Sequence, residues 1–314
     1  MKQEFYAVIE GLTNSCAQYE ILGRSVLEQL YSDLEAAGAK AIFALDEDTT
    51  HASLIEEHGC DAIFAIVPAN CILVSDFIDG EGFHYISINN PVDLENATAS
   101  LRRRINEKHM IAGVLFMDAT QAFIAPDVKI GTGTTILPGC IILGKTVIGQ
   151  GCTIGPNSRL VDMTIGDDVT IEYSVASEAE IGTGTSVGPF AYLRPGTVIG
   201  EKCRIGNFVE VKNAILGDGA KMAHLAYIGD ADVGRGVNYS CGAITANYDG
   251  KNKHRTVIGD YAFIGSNANL VAPVEIEGGA FVAAGSTINK NVPQDALGIA
   301  RARQTNVEGW RKRR

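Results

Sequence analysis

Three groups of residues in this 314-residue chain have the types and spacing of a chemical site. Arg194, in AYLRPG, and Lys212, in FVEVKN, lie 18 residues apart. Arginine offers a planar fork of donors and lysine a compact cation, so together they suit a phosphate; without a ligand they are two solvated surface cations. His224, in KMAHLAYIGD, is followed three residues later by Tyr227, with Asn238 further on. A neutral imidazole can take a proton from an attacking amine, and it can equally be a hydrogen-bonded structural side chain. Residues 244–257, ITANYDGKNKHRTV, are polar and rich in glycine and lysine. They read either as a plain surface insertion or as a loop that carries binding residues.

The elements that must position these residues count in sixes. Ile130, Ile136, Ile142, Ile148, Ile154 and Leu160 are each six apart, as are Ile181, Val187, Leu193, Ile199, Ile205 and Val211, and again Ile258, Ile264, Leu270, Ile276, Val282 and Ile288. That period fits neither a 3.6-residue helix nor a two-residue strand alternation, and it predicts a β-solenoid. Each hexad supplies a short strand with its aliphatic residue inward, and Gly, Asp or Asn turns the corner. Three hexads close a triangular coil of 18 residues, and coils stack about 4.8 Å apart. Single IG-x-G stretches inside such an array are turns, and no phosphate loop follows from them. On this geometry Arg194 stands over Lys212, where like charges repel unless something anionic joins them. A phosphate pair, a base and a projecting polar loop together describe an acyl-transfer site for an amino-sugar phosphate.

The first part of the chain is different. FYAVIEGL, AKAIFAL, CDAIFAIV and CILVSDF read as short apolar strands, and EILGRSVLEQLYSDLEAAG as a helix ending at Gly38. NPVDLENATASLRRRINEKHM reads as a connector helix. The expected division is an α/β region over 1–90, a connector over 91–126 and a solenoid over 127–314. Residues 1–126 carry a net charge of −12 and the remainder +1, a balance that argues against nucleic-acid binding. The terminal RKRR reads as a solvated tail. The start of the chain lacks the features of a signal peptide, and the longest apolar run is broken by Pro68 and Asn70, so no membrane insertion is expected. Seven scattered cysteines without a C-x-x-C suggest free thiols in a reducing cytoplasm and no zinc site.

GPFAYLRPG, IGNFVEVK, AHLAYIGDADVG, ITANYDGKNK, FIGSNANLVAPV, AAGSTI and ARARQTNVEGWRKRR resemble, in register from about residue 125, the acetyltransferase half of one bacterial family. It is the bifunctional N-acetylglucosamine-1-phosphate uridyltransferase/glucosamine-1-phosphate N-acetyltransferase family. The resemblance implies a left-handed parallel β-helix, a homotrimer with sites built from neighbouring subunits, and acetyl-CoA as cosubstrate. On matching positions it assigns Arg194, Lys212, Tyr227, Asn238 and Lys253 to the sugar phosphate. It makes His224 the general base and Glu210 a polarising partner. Asn247, Tyr248, Ser266, Ala284 and Arg301 fall on acetyl-CoA contacts, and Cys241 stands where the family has a small alanine. The N-terminal region departs from the family: its expected phosphate loop has a single glycine, Gly11, and no basic residue between Gln3 and Arg24. SINNPVD, with Asn89 where the family has a magnesium ligand, resembles only the closing part of that domain. The implied activity is acetyl transfer to glucosamine-1-phosphate without uridylyl transfer, with magnesium needed only if uridylyl transfer survives. The alternatives are a bifunctional enzyme, an acetyltransferase for another sugar phosphate, and a non-catalytic solenoid scaffold.

Overall fold

The computed structural model describes residues 5–10, 19–44, 54, 64–69, 71–73 and 85–313. The chain forms two compact units, Met1–Ile111 with Ala119–Val128, and Ala112–Asp118 with Lys129–Arg314.

In the first unit a parallel sheet of three strands has the order Ala39–Ala44, Phe5–Glu10, Phe64–Pro68. Helix α1, Val26–Ala37, packs Leu30, Leu34 and Ala37 against Ala7, Ile9, Val67 and Cys71. The helix starts six residues later than its apolar pattern predicts. Leu22 and Gly23 adopt positive φ and turn Glu20–Ile21 back on Arg24–Ser25 as a two-stranded hairpin. Ser25 then caps α1 in a capping box with Glu28, and Gly38 closes it at φ 102°. The predicted connector is helix α2, Pro91–Ile111. Asn90 caps it by accepting from Val92 N and Asp93 N, and Pro91 occupies the first helical position, where no amide is needed. Its Arg104 donates to the buried Asp33 of α1 at 2.6 Å and to Leu73 O at 2.6 Å, which ties three elements together.

The second unit is a left-handed parallel β-helix of about ten coils. One face is a sheet of 11 short strands, and the other two contribute 16 strands to a sheet of 17. Nearly every aliphatic residue of the sixfold count is buried, Ile264, Leu270, Ile276 and Val282 completely. Each contributes roughly 1.5–3 kcal/mol by leaving water. Neighbouring coils bond amide to carbonyl in parallel register, Lys129 over Val147 and Ile130 over Ile148 for instance.

The coil length is not uniformly 18. Ile148 stands over Ile165, Leu160 over Ala176 and Ile165 over Ile181, so these coils hold 17 or 16 residues. Register is kept because strands stay paired while corners lose a residue and turn through positive φ, as at Asp162, Tyr173 and Asn213. A second short coil surrounds KMAHLAYIGD. Its inward positions are Met222 and Ile228, both fully buried, and His224 points outward. His224 thus stands off the aliphatic count, and the slip in that count falls earlier, at Leu216, five residues after Val211.

The predicted polar loop is also shorter than its composition suggests. Ile244–Ala246 and Thr256–Ile258 remain coil strands, and only residues 247–255 project. Tyr248 and Lys253 form an antiparallel bridge across the loop. At its tip Asp249 accepts from Lys251 N at 2.8 Å, Asn252 N at 2.6 Å and His254 Nε2 at 2.7 Å. Arg255 anchors the base through Asp232, with Nε 2.6 Å from Oδ2.

The Asn252 amide, followed by His254 and the Lys251 amide, holds the Asp249 carboxyl down to about 2. A depressed carboxyl contributes order that is present above the ordinary carboxylate range and is lost as pH falls toward about 2. Asp249→Ala should therefore speed amide exchange at residues 250–253 about five- to ten-fold while leaving the melting temperature of the β-helix unchanged. Hydrogen exchange read by mass spectrometry checks this, and unchanged exchange in the loop would refute it.

Candidate active site

Two clusters flank one corner of the β-helix. The first lies on the 17-stranded side. Tyr192 pairs with Glu210 and Glu210 with Tyr227, so the sequence from Tyr192 to Arg194 lies over Glu210 to Lys212 and then over Tyr227 to Gly229. Stacked Arg194 and Lys212 are thus confirmed as neighbours on successive coils. Their repulsion is already answered by protein groups. Arg194 Nη1 lies 2.8 Å from Glu210 Oε1, a half-exposed pair. A pair this open to water adds little stability and yields readily to a stronger anion.

Lys212 has a different neighbourhood. The Lys253 ammonium, brought from the loop, sits against it and pushes the Lys212 ammonium below its ordinary range, with burial adding to the effect. Beside them is Asp230, a nearly buried carboxylate at positive φ. Its Oδ1 accepts from Asn213 Nδ2 at 2.6 Å, and its Oδ2 accepts from Asn247 Nδ2. Burial alone would raise this carboxyl; the two amides and the cations Lys212 and Lys253 outweigh it and hold it below the usual carboxylate range. Asp230 thereby keeps two converging cations together and fixes Asn247 at the base of the loop.

Gly229 shapes the floor of the cluster. A Cβ built there would lie 2.2 Å from the Tyr227 hydroxyl and 2.9 Å from Asn247 Nδ2, so only glycine lets these side chains converge.

The second cluster lies on the other side of the corner. His224 ends the strand Lys221–His224 of the 11-stranded sheet, and Leu225 turns the corner toward Tyr227. Its Nδ1 is 2.7 Å from Asn207 Oδ1. Asn238 is on the same sheet, one strand further, and donates to Ser240 Oγ at 3.2 Å.

Below His224 the backbone continues in one column. Gly242 N bonds His224 O, Asn267 N bonds Cys241 O and Gly285 N bonds Ser266 O. Arg301 Nη1 then reaches Ala284 O at 2.8 Å. Four residues expected to meet acetyl-CoA, Cys241, Ser266, Ala284 and Arg301, therefore follow His224 down one corner, a shallow rail with small side chains on successive coils. Tyr248 is separate: it stands exposed on the loop and donates to Gly250 O at 2.7 Å.

Four residues of these clusters have no sequence signal of their own: Asn207, Asn213, Gly229 and Asp230. Asn207 precedes His224 by 17 residues, and an 18-residue count sets Gly206 in its place.

In the first unit, the expected nucleotide loop lies outside the described residues over 11–18. Arg24, the first basic residue after it, is ion-paired with Asp127. Cys71, Cys140, Cys152 and Cys203 are buried free thiols and Cys241 a half-buried one; Cys16 and Cys60 lie outside the described residues. Among the described residues no helix is long and apolar enough to cross a membrane.

The family described as Bacterial transferase hexapeptide (six repeats) matches residues 122–161, 178–213 and 255–290. The unmatched stretches between them hold the short coils and the projecting loop. The bifunctional protein GlmU of Geobacillus sp. (strain WCH70) is 49% identical over 270 residues, covering 85% of this chain and 59% of that protein. GlmU of Exiguobacterium sp. (strain ATCC BAA-1283 / AT1b) is 54% identical over 228 residues, covering 73% of this chain and 51% of that protein. The chain thus spans between half and three-fifths of the length of these curated relatives. A solved UDP-N-acetylglucosamine acyltransferase from Francisella novicida is 19% identical over 59% of this chain and 67% of its own, with a TM-score of 0.37. Over its matched part the chain is similar to the bifunctional GlmU proteins, with about half the residues identical.

Proposed function

We propose that the protein transfers the acetyl group of acetyl-CoA to the 2-amino group of glucosamine-1-phosphate, giving N-acetylglucosamine-1-phosphate for UDP-N-acetylglucosamine synthesis. The observation that carries this reading is the convergence of Lys212 and Lys253, with Arg194 on the coil beside them, next to an outward histidine that heads a rail of small residues. The similarity to GlmU supports the same chemistry.

The phosphate displaces Glu210 from Arg194 and joins the three cations, while Tyr227 and Asn238 bond the sugar. Glu210 remains beside the site as a polarising group. His224 Nε2 takes a proton from the 2-amino group as its nitrogen attacks the thioester carbonyl. The C–N bond forms, the C–S bond breaks and the departing sulfur leaves as the thiol of CoA after taking up a proton. Backbone N–H groups stabilise the developing oxyanion. Acetyl-CoA lies along Cys241, Ser266 and Ala284, with Asn247 and Tyr248 over it and Arg301 toward its phosphates.

The protein acts as a homotrimer in the cytoplasm. Support for assembly comes from an exposed ladder beside the site: Tyr173, Phe190, Phe208 and Leu225 are 42%, 52%, 54% and 59% exposed. The rings of Phe190 and Phe208 stack at 5.4 Å, and Tyr173 lies 5.6 Å from Phe190. A contiguous apolar strip of this kind is unusual on a lone soluble subunit and fits a second copy of the chain. Phe208 and Leu225 directly follow Asn207 and His224, so burying the ladder would also enclose the base.

Incubation with acetyl-CoA and glucosamine-1-phosphate should release free thiol. His224→Ala should lower that rate about 10²–10⁴-fold in a folded protein. Given UTP, magnesium and N-acetylglucosamine-1-phosphate, the protein should release no pyrophosphate, because residues 10–23 supply no cation for the triphosphate. Thiol release with other sugar phosphates only, or with none, would support the alternative acetyltransferase or the scaffold; pyrophosphate above the no-enzyme control would restore the bifunctional reading.

Replacing Arg194 or Lys212 by Ala should raise KM for glucosamine-1-phosphate about ten-fold or more with KM for acetyl-CoA within about two-fold, as the loss of a charge-assisted bond requires. Equal increases for both substrates would point to damage of the coil instead.

Phe208→Asp should convert the trimer to monomers in analytical ultracentrifugation by placing a charge in the ladder. A trimer that persists in this variant excludes the ladder as the interface.

A further inference from the structure

We infer that Asn207 is a positioning residue that holds His224 as the Nδ1–H tautomer and so turns the Nε2 lone pair outward, toward the amine. This rests on the reading of His224 as the base.

Three features of the fold lead to it. Asn207 and His224 are register partners at the ends of the adjacent strands Arg204–Asn207 and Lys221–His224. The residue before Asn207 is Gly206, where a Cβ would lie 2.0 Å from Ala223 O. Any other side chain would force the two strands apart at this point, so the close approach that lets the two side chains meet depends on glycine. The resulting contact is 2.7 Å between Asn207 Oδ1 and His224 Nδ1.

The chemistry then has one solution. An amide oxygen only accepts, so Nδ1 must be the donor and carry hydrogen. In the neutral ring the other nitrogen, Nε2, is left with the lone pair, and the bond at one nitrogen decides the state of the other. A histidine without such a partner is free to place its proton on Nε2, which cannot then accept one from the amine. The partner is also uncharged. A carboxylate in this place would orient the ring and favour the imidazolium as well; the amide orients it without adding charge. The backbone reinforces the arrangement, because Leu225 N bonds Asn207 O at 3.0 Å and fixes the corner immediately after the histidine.

The test uses the whole 314-residue chain labelled with ¹⁵N-histidine, with the His224 signals assigned by their loss in His224→Gln. Two-bond ¹H–¹⁵N spectra, recorded at a pH where the ring is neutral, distinguish the tautomers directly. Wild type should show His224 protonated at Nδ1. Asn207→Ala should shift the ring toward Nε2–H and lower kcat about three- to ten-fold, the range for one hydrogen bond, with KM for acetyl-CoA within about two-fold. Asn207→Asp, which keeps an acceptor at the same place, should restore the Nδ1–H form.

A wild-type ring protonated at Nε2 overturns the inference whatever the variants do, as does an Asn207→Ala protein that retains Nδ1–H. Should Asn207→Ala fail to fold, the wild-type and Asn207→Asp spectra still decide. If wild type forms no N-acetylglucosamine-1-phosphate at all, the proposed function fails, while the tautomer spectrum continues to report on Asn207 separately.

Discussion

Coil-to-coil pairing governs this molecule. Each short strand bonds the strand one coil before and one coil after, in parallel and without offset, so a side chain's neighbours are set by its counterparts on adjacent coils. That constraint is severe for chemistry, because it forbids a residue from choosing its own surroundings. It is also useful. Once Glu210 is placed, Tyr192 and Tyr227 must flank it; once His224 is placed, Asn207 must sit against it. A site can therefore be laid out as short columns, and its precision comes from backbone bonds that are present throughout the prism.

Columns impose an electrostatic cost when like charges fall in line. The protein meets it in two ways. Arg194 is balanced by a carboxylate on the next coil, in a pair open enough to water to be exchanged for another anion. Lys212 and Lys253 instead share Asp230, which is shielded from water and held by two side-chain amides. The exposed carboxylate is thus the exchangeable one, and the enclosed carboxylate maintains the charge balance of the site. Asp230 also bonds Asn247, so the region that gathers the cations and the root of the projecting loop share one carboxylate.

Much of this was legible in the residues because the β-helix has a strict period. The aliphatic positions of the three sixfold runs are inward, and the stacking of Arg194 on Lys212 follows from their 18-residue spacing. What escaped the period did so for a geometric reason. Corners can lose a residue without disturbing the strands, so counting in eighteens fails by one around residues 211–228, and Asn207 is hidden by that single step. Gly229 and Asp230 look like ordinary turn residues, and their importance lies in what approaches them in space. In the first unit the apolar pattern of α1 extends backward through residues that form a hairpin, because positive φ at Leu22 and Gly23 outranks periodicity there. The roles of Cys241, Ser266 and Ala284 come from resemblance, whereas their alignment with His224 down one corner comes from the backbone bonds.

The nine residues from Asn247 to Arg255 leave and rejoin the β-helix at strands that keep their partners: Ala246 pairs with Val271, and Thr256 pairs with Ala231 and Val274. The excursion costs the coil no pairing at either end. A segment of another length or composition grafted between Ala246 and Thr256 would arrive at the same place beside Lys212 and leave every register above and below unchanged. This corner is thus a socket, and the scaffold could acquire a different ligand preference by exchanging what is plugged into it while the aliphatic axis stays the same.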